Sequence, residues 1–272
     1  MKRKLRMYLP FTLNELKRQM AYKGAFYLFV FIELFSSFIA YFLWMAIYGS
    51  SDQGTLGGLT QNEMVVYVFM THIATQIAMI SIDDWIADDV EAGTVAMNLI
   101  KPIDYRTSLL ARAFGDLIYH FMIPSVFVWI GVELYRIYGL GMPFTGWKTI
   151  FIFLCSCIMS FFIYTLFDFC FGMIAFLTSY SFGLFMAKTA LLSFLTGQLI
   201  PLSFFPGPVQ KLFEFLPFSS MIYTPVMIYL GKYNVEQMMF VLGKQVIWIM
   251  ILYAAGSLGW KRITKRMVIL GG

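Results

Sequence analysis

The sequence predicts an all-α membrane protein with a single transmembrane domain over residues 1–272. The chain is 60% hydrophobic and only 13% charged, whereas soluble domains carry about 25% charged residues. It contains several apolar runs of about the 20 residues that a helix needs to cross a bilayer. Its positive charges gather on one side of those runs. We expect six transmembrane helices, an N-terminal interfacial helix, a cytosolic docking element and two outer half-inserted helices.

Residues 1–23 start with a basic tail and continue as an amphipathic segment. Thr12 and Glu15 have the spacing of a capping box. The apolar residues of this segment form one stripe: Leu9, Leu13, Leu16 and Met20. The pattern predicts a short helix on the cytosolic membrane surface. The alternative is a cytosolic extension of the first span.

The apolar runs predict six spans with loops between them. Their expected bounds are about 24–48, 64–82, 109–137, 149–177, 189–205 and 237–260. With the N-terminus inside, the inner segments hold fifteen of the 20 lysines and arginines, and Lys188 is counted there in a short link. The outer segments hold four, and Lys244 lies inside the last span. This asymmetry places both termini in the cytosol.

The segment 83–105 is the most acidic part of the chain. Its acidic residues are Asp83, Asp84, Asp88, Asp89, Glu91 and Asp104. Just before it and within it, apolar residues recur with helical spacing at Ile82, Ile86 and Val90. Gly93 breaks that helix, and Thr94 is expected to cap a second one that runs to about Leu99. We interpret the segment as a helix–break–helix docking element for a soluble partner; the alternative is an ordinary solvated loop.

Polar residues inside the predicted spans are candidates for a translocation path. They are Glu33, His72, Gln76 and Asp168. The alternative is that they form hydrogen bonds between neighbouring helices. Arg112 with Asp116, and Glu133 with Arg136, have the spacing of local ion pairs. Lys244 has no evident partner in the sequence.

The outer segment 205–234 is apolar but is divided by prolines. Pieces of roughly ten residues are too short to cross the hydrocarbon core. We expect two short helices, about 208–216 and 219–230, that enter the membrane from the outer side and return. The alternative is a surface loop with interfacial aromatic residues.

The motifs of common catalytic and nucleotide sites are missing from the sequence. It has no H-E-x-x-H, no G-x-S-x-G and no Walker A loop. Cys155, Cys157 and Cys170 lie together in one apolar run, which favours packing over metal binding. The net charge of +5 is explained by membrane topology, not by nucleic-acid binding. We therefore expect no catalytic residues, no metal site and no cofactor on this chain.

Two motifs carry a resemblance to a known family. The first is Glu91-Ala92-Gly93-Thr94, followed by Leu99 and Lys101-Pro102-Ile103. The second is the stretch from Gly197 to Pro206, GQLIPLSFFP, followed by Leu216-Pro217-Phe218 and Pro225. Together they resemble the permease subunits of type-2 ABC exporters, in particular one bacterial subgroup of that class.

The resemblance implies a division of labour between subunits. Two permease chains, identical or paralogous, would pair in the bacterial cytoplasmic membrane, and two separate ATPase subunits, which bind ATP and magnesium, would dock on their coupling helices. The implied docking residues are Asp88, Asp89, Glu91, Gly93, Thr94 and Leu99. The implied outer gate residues are Pro201, Phe205, Pro206 and Pro217.

We therefore expect an export permease that moves an amphipathic or hydrophobic substrate and depends on a separate ATPase. A second hypothesis is a membrane-embedded scaffold or assembly subunit that docks a non-ATPase cytosolic partner. A third is an intramembrane enzyme using Glu33 or Asp168. The partners expected on the first hypothesis are the ATPase, a second permease chain and membrane lipid.

Overall fold

The computed structural model of the chain describes residues 2–21, 23–178 and 182–270. Within these ranges the structure does not describe the side chains of some residues, Glu33 and Leu99 among them. The α-helices are α1 Lys2–Ala21, α2 Lys23–Gly49, α3 Gln61–Ala78, α4 Ile82–Glu91, α5 Thr94–Ile100, α6 Tyr105–His120, α7 Val126–Leu134, α8 Trp147–Gly172, α9 Phe182–Leu195, α10 Gly207–Phe215, α11 Tyr223–Tyr229 and α12 Val235–Leu270. A small antiparallel hairpin, β1 Thr55–Leu56 and β2 Leu59–Thr60, leads into α3.

Five helical stretches of the described residues are long and apolar enough to cross a membrane. They are Val30–Gly49, Gln61–Glu91, Tyr105–Gly139, Trp147–Phe176 and Val235–Lys265. The span predicted at 189–205 is different. Helix α9 begins earlier, at Phe182, and its 14 residues end at Leu195, giving a length of about 21 Å. Gly197 then turns the chain with a positive φ of 78°, so the predicted bounds of this span are wrong and a count of six is not confirmed.

Helix α8 lies at the centre of the bundle and packs against α3, α4, α11 and α12. Its apolar residues are distributed around the circumference and not confined to one face, as expected for a helix that packs on several sides. Phe153 and Phe161 on α8 have no exposed surface. Tyr67 of α3 donates a hydrogen bond of 2.5 Å to the carbonyl of Gly197, joining α3 to the turn after α9. The core therefore continues from the hairpin end of the bundle to the end that carries α4 and α5.

The third span contains Pro124, and there the helix has a π-helical turn, Phe121–Ser125, between α6 and α7. Proline lacks the N–H that would continue the helix. The hydroxyl of Ser125 donates to the carbonyl of His120 at 2.8 Å. This hydrogen bond gives the His120 carbonyl the donor that Pro124 lacks, so α6 and α7 continue as one helical stretch.

Helix α1 continues through Pro10 and packs along α6. The predicted capping box is wrong, because Thr12 and Glu15 face α6 instead. The Thr12 hydroxyl donates to the carbonyl of Ala111 at 2.6 Å. A Cβ at Gly115 would lie 2.3 Å from the carbonyl oxygen of Thr12. Only glycine allows the two helices to approach this closely.

Glu15 is 3% exposed and lies between two guanidinium groups. Its carboxylate accepts from Arg18 at 2.5 Å and from Arg112 at 2.7 Å. Burial raises the pKa of Glu15, but these two hydrogen bonds outweigh burial and hold the pKa below its ordinary value. The predicted Arg112–Asp116 pair is therefore wrong, since Asp116 accepts from Gln19 instead.

The outer segment contains the two predicted short helices, but they differ in burial. None of the residues of α10 is buried, which suits a helix lying at an interface. All seven residues of α11 are buried against α3 and α8. Its Tyr229 donates to Glu133 at 2.5 Å, and Glu133 also forms the predicted ion pair with Arg136 at 3.2 Å. Helix α11 is therefore part of the core, and its half-inserted position stays a prediction.

Candidate functional sites

The helix–break–helix element predicted from the acidic segment is present as α4, a turn at Gly93 and α5. Gly93 has a φ of 68°, a conformation that other residues adopt only with strain. Thr94 does not cap α5, because the N-cap residue is Gly93. The Thr94 hydroxyl donates instead to the Asp89 carboxylate at 2.7 Å. Asn98 and Tyr105 donate to the other oxygen of Asp89, at 3.1 and 2.7 Å. Asp89 thus fixes the angle between the two helices.

The outer face of the α4–α5 element, residues Ile82–Ile100, is acidic on α4 and apolar on α5. Asp88 and Glu91 are exposed, together with Asp84. Met97 is 66% exposed and Ile100 is 82% exposed. An exposed apolar tip beside surface carboxylates is typical of a protein-binding surface.

On the opposite face of α4, near its start, Asp83 forms an ion triad with Asp168 and Lys188. These residues are 1%, 0% and 4% exposed and come from α4, α8 and α9. The Lys188 ammonium contacts Asp83 at 2.5 Å and also contacts Asp168. The backbone N–H of Asp83 donates to Asp168 at 3.0 Å. The triad therefore joins the start of α4 to two helices of the bundle.

The triad changes the interpretation of three residues. Lys188 is buried and not in a solvated inner link, Asp83 is buried although it belongs to the predicted docking element, and Asp168 is bound in the triad. The role of Asp168 on a translocation path stays a prediction. The sequence signal for the triad was a lysine and an aspartate in two apolar segments. Each of these charged side chains needs a partner, because its surroundings solvate charge poorly. Their pairing with Asp83, which lies 105 residues from Lys188, was not visible in the sequence.

A cavity of about 170 Å³ with several polar side chains in its wall lies between α2, α3 and α9. Its polar lining is Ser36, Ser37, Thr71, His72, Ser193 and Gln198. His72 is therefore at a cavity, and Gln76 is half-buried one turn along the same helix. Glu33 was predicted to line the same path, but its side chain lies outside the part of the chain that the structure describes.

The predicted outer gate residues lie around α10. Pro201 is buried before a 3₁₀ turn, and Phe205 packs against Phe213 with ring centroids 5.3 Å apart. Pro206 is exposed at the start of α10, and Pro217 is buried at the start of the next 3₁₀ turn. Their role as a gate stays a prediction.

The family model described as "ABC-2 family transporter protein" matches residues 34–271. This chain belongs to the ABC-2 transporter family. The resemblance inferred from the two motifs is thereby confirmed. No curated protein matches the chain.

Membership of the ABC-2 family and the apolar helices indicate a multi-pass membrane protein and fit a membrane transport permease. Permeases of this family are generally non-catalytic transmembrane components. They generally work with an ABC ATPase subunit. An exposed α4–α5 element joined to the bundle is therefore found in a chain whose family generally works with a separate ATPase subunit.

Proposed function

We propose that this ABC-2 permease is the membrane subunit of an ATP-driven exporter in the bacterial inner membrane. It would pair with a second permease chain, identical or paralogous, and two ATPase subunits would bind ATP and magnesium on the cytosolic side, where both termini lie. The substrate would be amphipathic or hydrophobic. An apolar cavity of about 800 Å³ between α2, α3 and α7 supports this substrate class.

The observation that carries the proposal is the position of the ion triad at the start of α4. A motor that displaces the exposed face of α4 must move the spans, not only bend a loop. Lys188 joins Asp83 on α4 to Asp168 on α8, inside a region that excludes water. Separating these charges is costly in such surroundings, so α4, α8 and α9 move together.

The ATPase would contact the exposed residues of the α4–α5 element. Asp88 and Glu91 supply negative charge, and Met97 and Ile100 supply apolar contact. Asp89 and Thr94 act indirectly, because their hydrogen bonds keep α5 at its angle to α4. The cavity at His72 opens between α2, α3 and α9, and a second permease chain would complete a path there.

The test is co-purification of the tagged chain with its partners from its native membrane. We expect a P-loop ATPase in near-equal amount. Reversing two exposed charges, Asp88→Lys with Glu91→Lys, should remove the ATPase through like-charge repulsion at the contact. The matched control is Asp52→Lys, an exposed aspartate in the loop at the other end of α3.

A chain that purifies with a non-ATPase partner would support the scaffold hypothesis and overturn the proposal. Equal ATPase recovery with the double reversal and with Asp52→Lys would show that α4 is not the docking surface. Recovery of one permease species or of two then distinguishes a homodimer from a heterodimer.

A further inference from the structure

Lys244 is the tenth residue of α12 and lies at the end of the bundle that carries α10. Its ammonium donates to the carbonyl of Glu214 at 2.6 Å and to the hydroxyl of Ser219 at 3.1 Å. Trp248, one turn along α12, donates to the carbonyl of Phe215 at 3.2 Å. The two side chains therefore satisfy carbonyls at the end of α10, where a cation is favoured by the helix dipole.

These contacts leave the charge of Lys244 without an ion pair to any carboxylate that the structure describes. The nearby Glu214 carboxylate accepts from Gln210 at 2.9 Å. An ammonium has three N–H donors, and two of those of Lys244 are used by neutral oxygens. One donor and one positive charge remain for another group.

The space beside Lys244 is a cavity of about 540 Å³ between α10, α11 and α12. We call it the Lys244 cavity. Its charged lining is Lys211, Glu214, Glu236 and Lys244. Two ammonium groups and two carboxylates line the same space, so the cavity offers complementary contacts to a ligand that carries both a negative and a positive charge.

The rim of the Lys244 cavity is apolar and faces outward. Phe215 and Phe240 line it and are each 72% exposed. Leu212, on α10, is 56% exposed beside them. In a membrane protein such side chains contact lipid, and α10 has the pattern of a helix that lies in the headgroup region.

We propose that the Lys244 cavity binds the headgroup of a zwitterionic phospholipid that carries a primary amine. The phosphate accepts from Lys244 and Lys211, the amine donates to Glu236 and Glu214, and the acyl chains lie against Phe215 and Phe240. This site is independent of the proposed export function, because it requires neither an ATPase nor a transported substrate.

The test is native mass spectrometry of the full-length chain in detergent, with phosphatidylethanolamine or phosphatidylglycerol added. We expect phosphatidylethanolamine to remain bound to the unmodified chain in preference to phosphatidylglycerol. Lys244→Met should weaken its retention by about tenfold, the loss expected for one charge-assisted hydrogen bond. Lys211→Met, at an exposed position that is safe for folding, should weaken it less.

The matched control is Lys148→Met, which removes an exposed lysine at the same membrane face without touching the cavity. It should leave retention unchanged. Glu236→Gln should shift the preference from the ethanolamine headgroup towards the glycerol headgroup, since it removes the partner of the amine.

Three results would overturn the assignment. Equal retention by Lys244→Met and the unmodified chain would remove the site. If Lys148→Met lost as much bound lipid as Lys244→Met, the retention would depend on surface charge alone and not on the cavity. Displacement of the lipid by inorganic phosphate alone would assign the cavity to free phosphate and not to a lipid headgroup.

Discussion

Lys188 and Lys244 are both lysines within apolar helices, but the protein surrounds them differently. Lys188 is 4% exposed and contacts two carboxylates. Lys244 is half-buried and contacts a carbonyl and a hydroxyl. The first site has more negative than positive charge, and the second retains a positive charge. The comparison teaches that a buried cation with full counterions joins helices, whereas one held by neutral oxygens remains able to bind a ligand.

Removing the lysine from the ion triad is expected to have the largest effect on stability. Lys188→Met leaves two carboxylates facing each other without a cation, and breaking a buried ion pair in this way costs ~3–5 kcal/mol. Chemical unfolding in detergent micelles measures the loss. Adding Asp83→Asn and Asp168→Asn removes the remaining charges and should restore most of the stability. A triple variant as unstable as Lys188→Met would show that the charges are not the cause.

Glu15 extends the comparison to a buried anion, because its one carboxylate lies between two guanidinium groups. Its pKa in the folded protein lies below the ordinary value. Its contribution, on the order of 1–2 kcal/mol, is therefore present at neutral pH and is lost as the pH falls below the ordinary pKa of a glutamate. Spin labels at exposed positions Leu13 and Ile118 should report separation of α1 from α6 in acid.

The matched control for this pH effect is Glu15→Gln, which removes the titrating group. Its label distance should be independent of pH over the same range. A Glu15→Gln chain that still separates α1 from α6 in acid would assign the transition to another group.

Lys244→Met should have the smallest effect on stability, within about 1 kcal/mol. One hydrogen bond to the end of α10 and one to Ser219 in the next turn are lost, but a half-buried charge without an ion pair is removed as well. Unfolding in the same micelles provides the comparison with Lys188→Met. A loss as large as that of Lys188→Met would contradict the difference drawn between the two lysines.

Local signals carried most of what the sequence correctly predicted. Gly93 predicted the break after α4, and the prolines predicted the short helices after residue 205. The partners of the charged and polar side chains were less predictable, because they are distant in the sequence. Thr12 and Glu15 have capping-box spacing, yet they bind α6, about a hundred residues later. A local pattern could not choose between those partners, and it could not show that α11 enters the core while α10 stays outside.

The ion triad also fixes an order of events during synthesis of the chain. Asp83 precedes Lys188 by 105 residues, and a ribosome adds roughly 5–20 residues per second. For several seconds, Asp83 and then Asp168 are present in the nascent chain without their cation. The start of α4 therefore cannot reach its final place until α9 has been made, and assembly of this end of the bundle is completed late in translation.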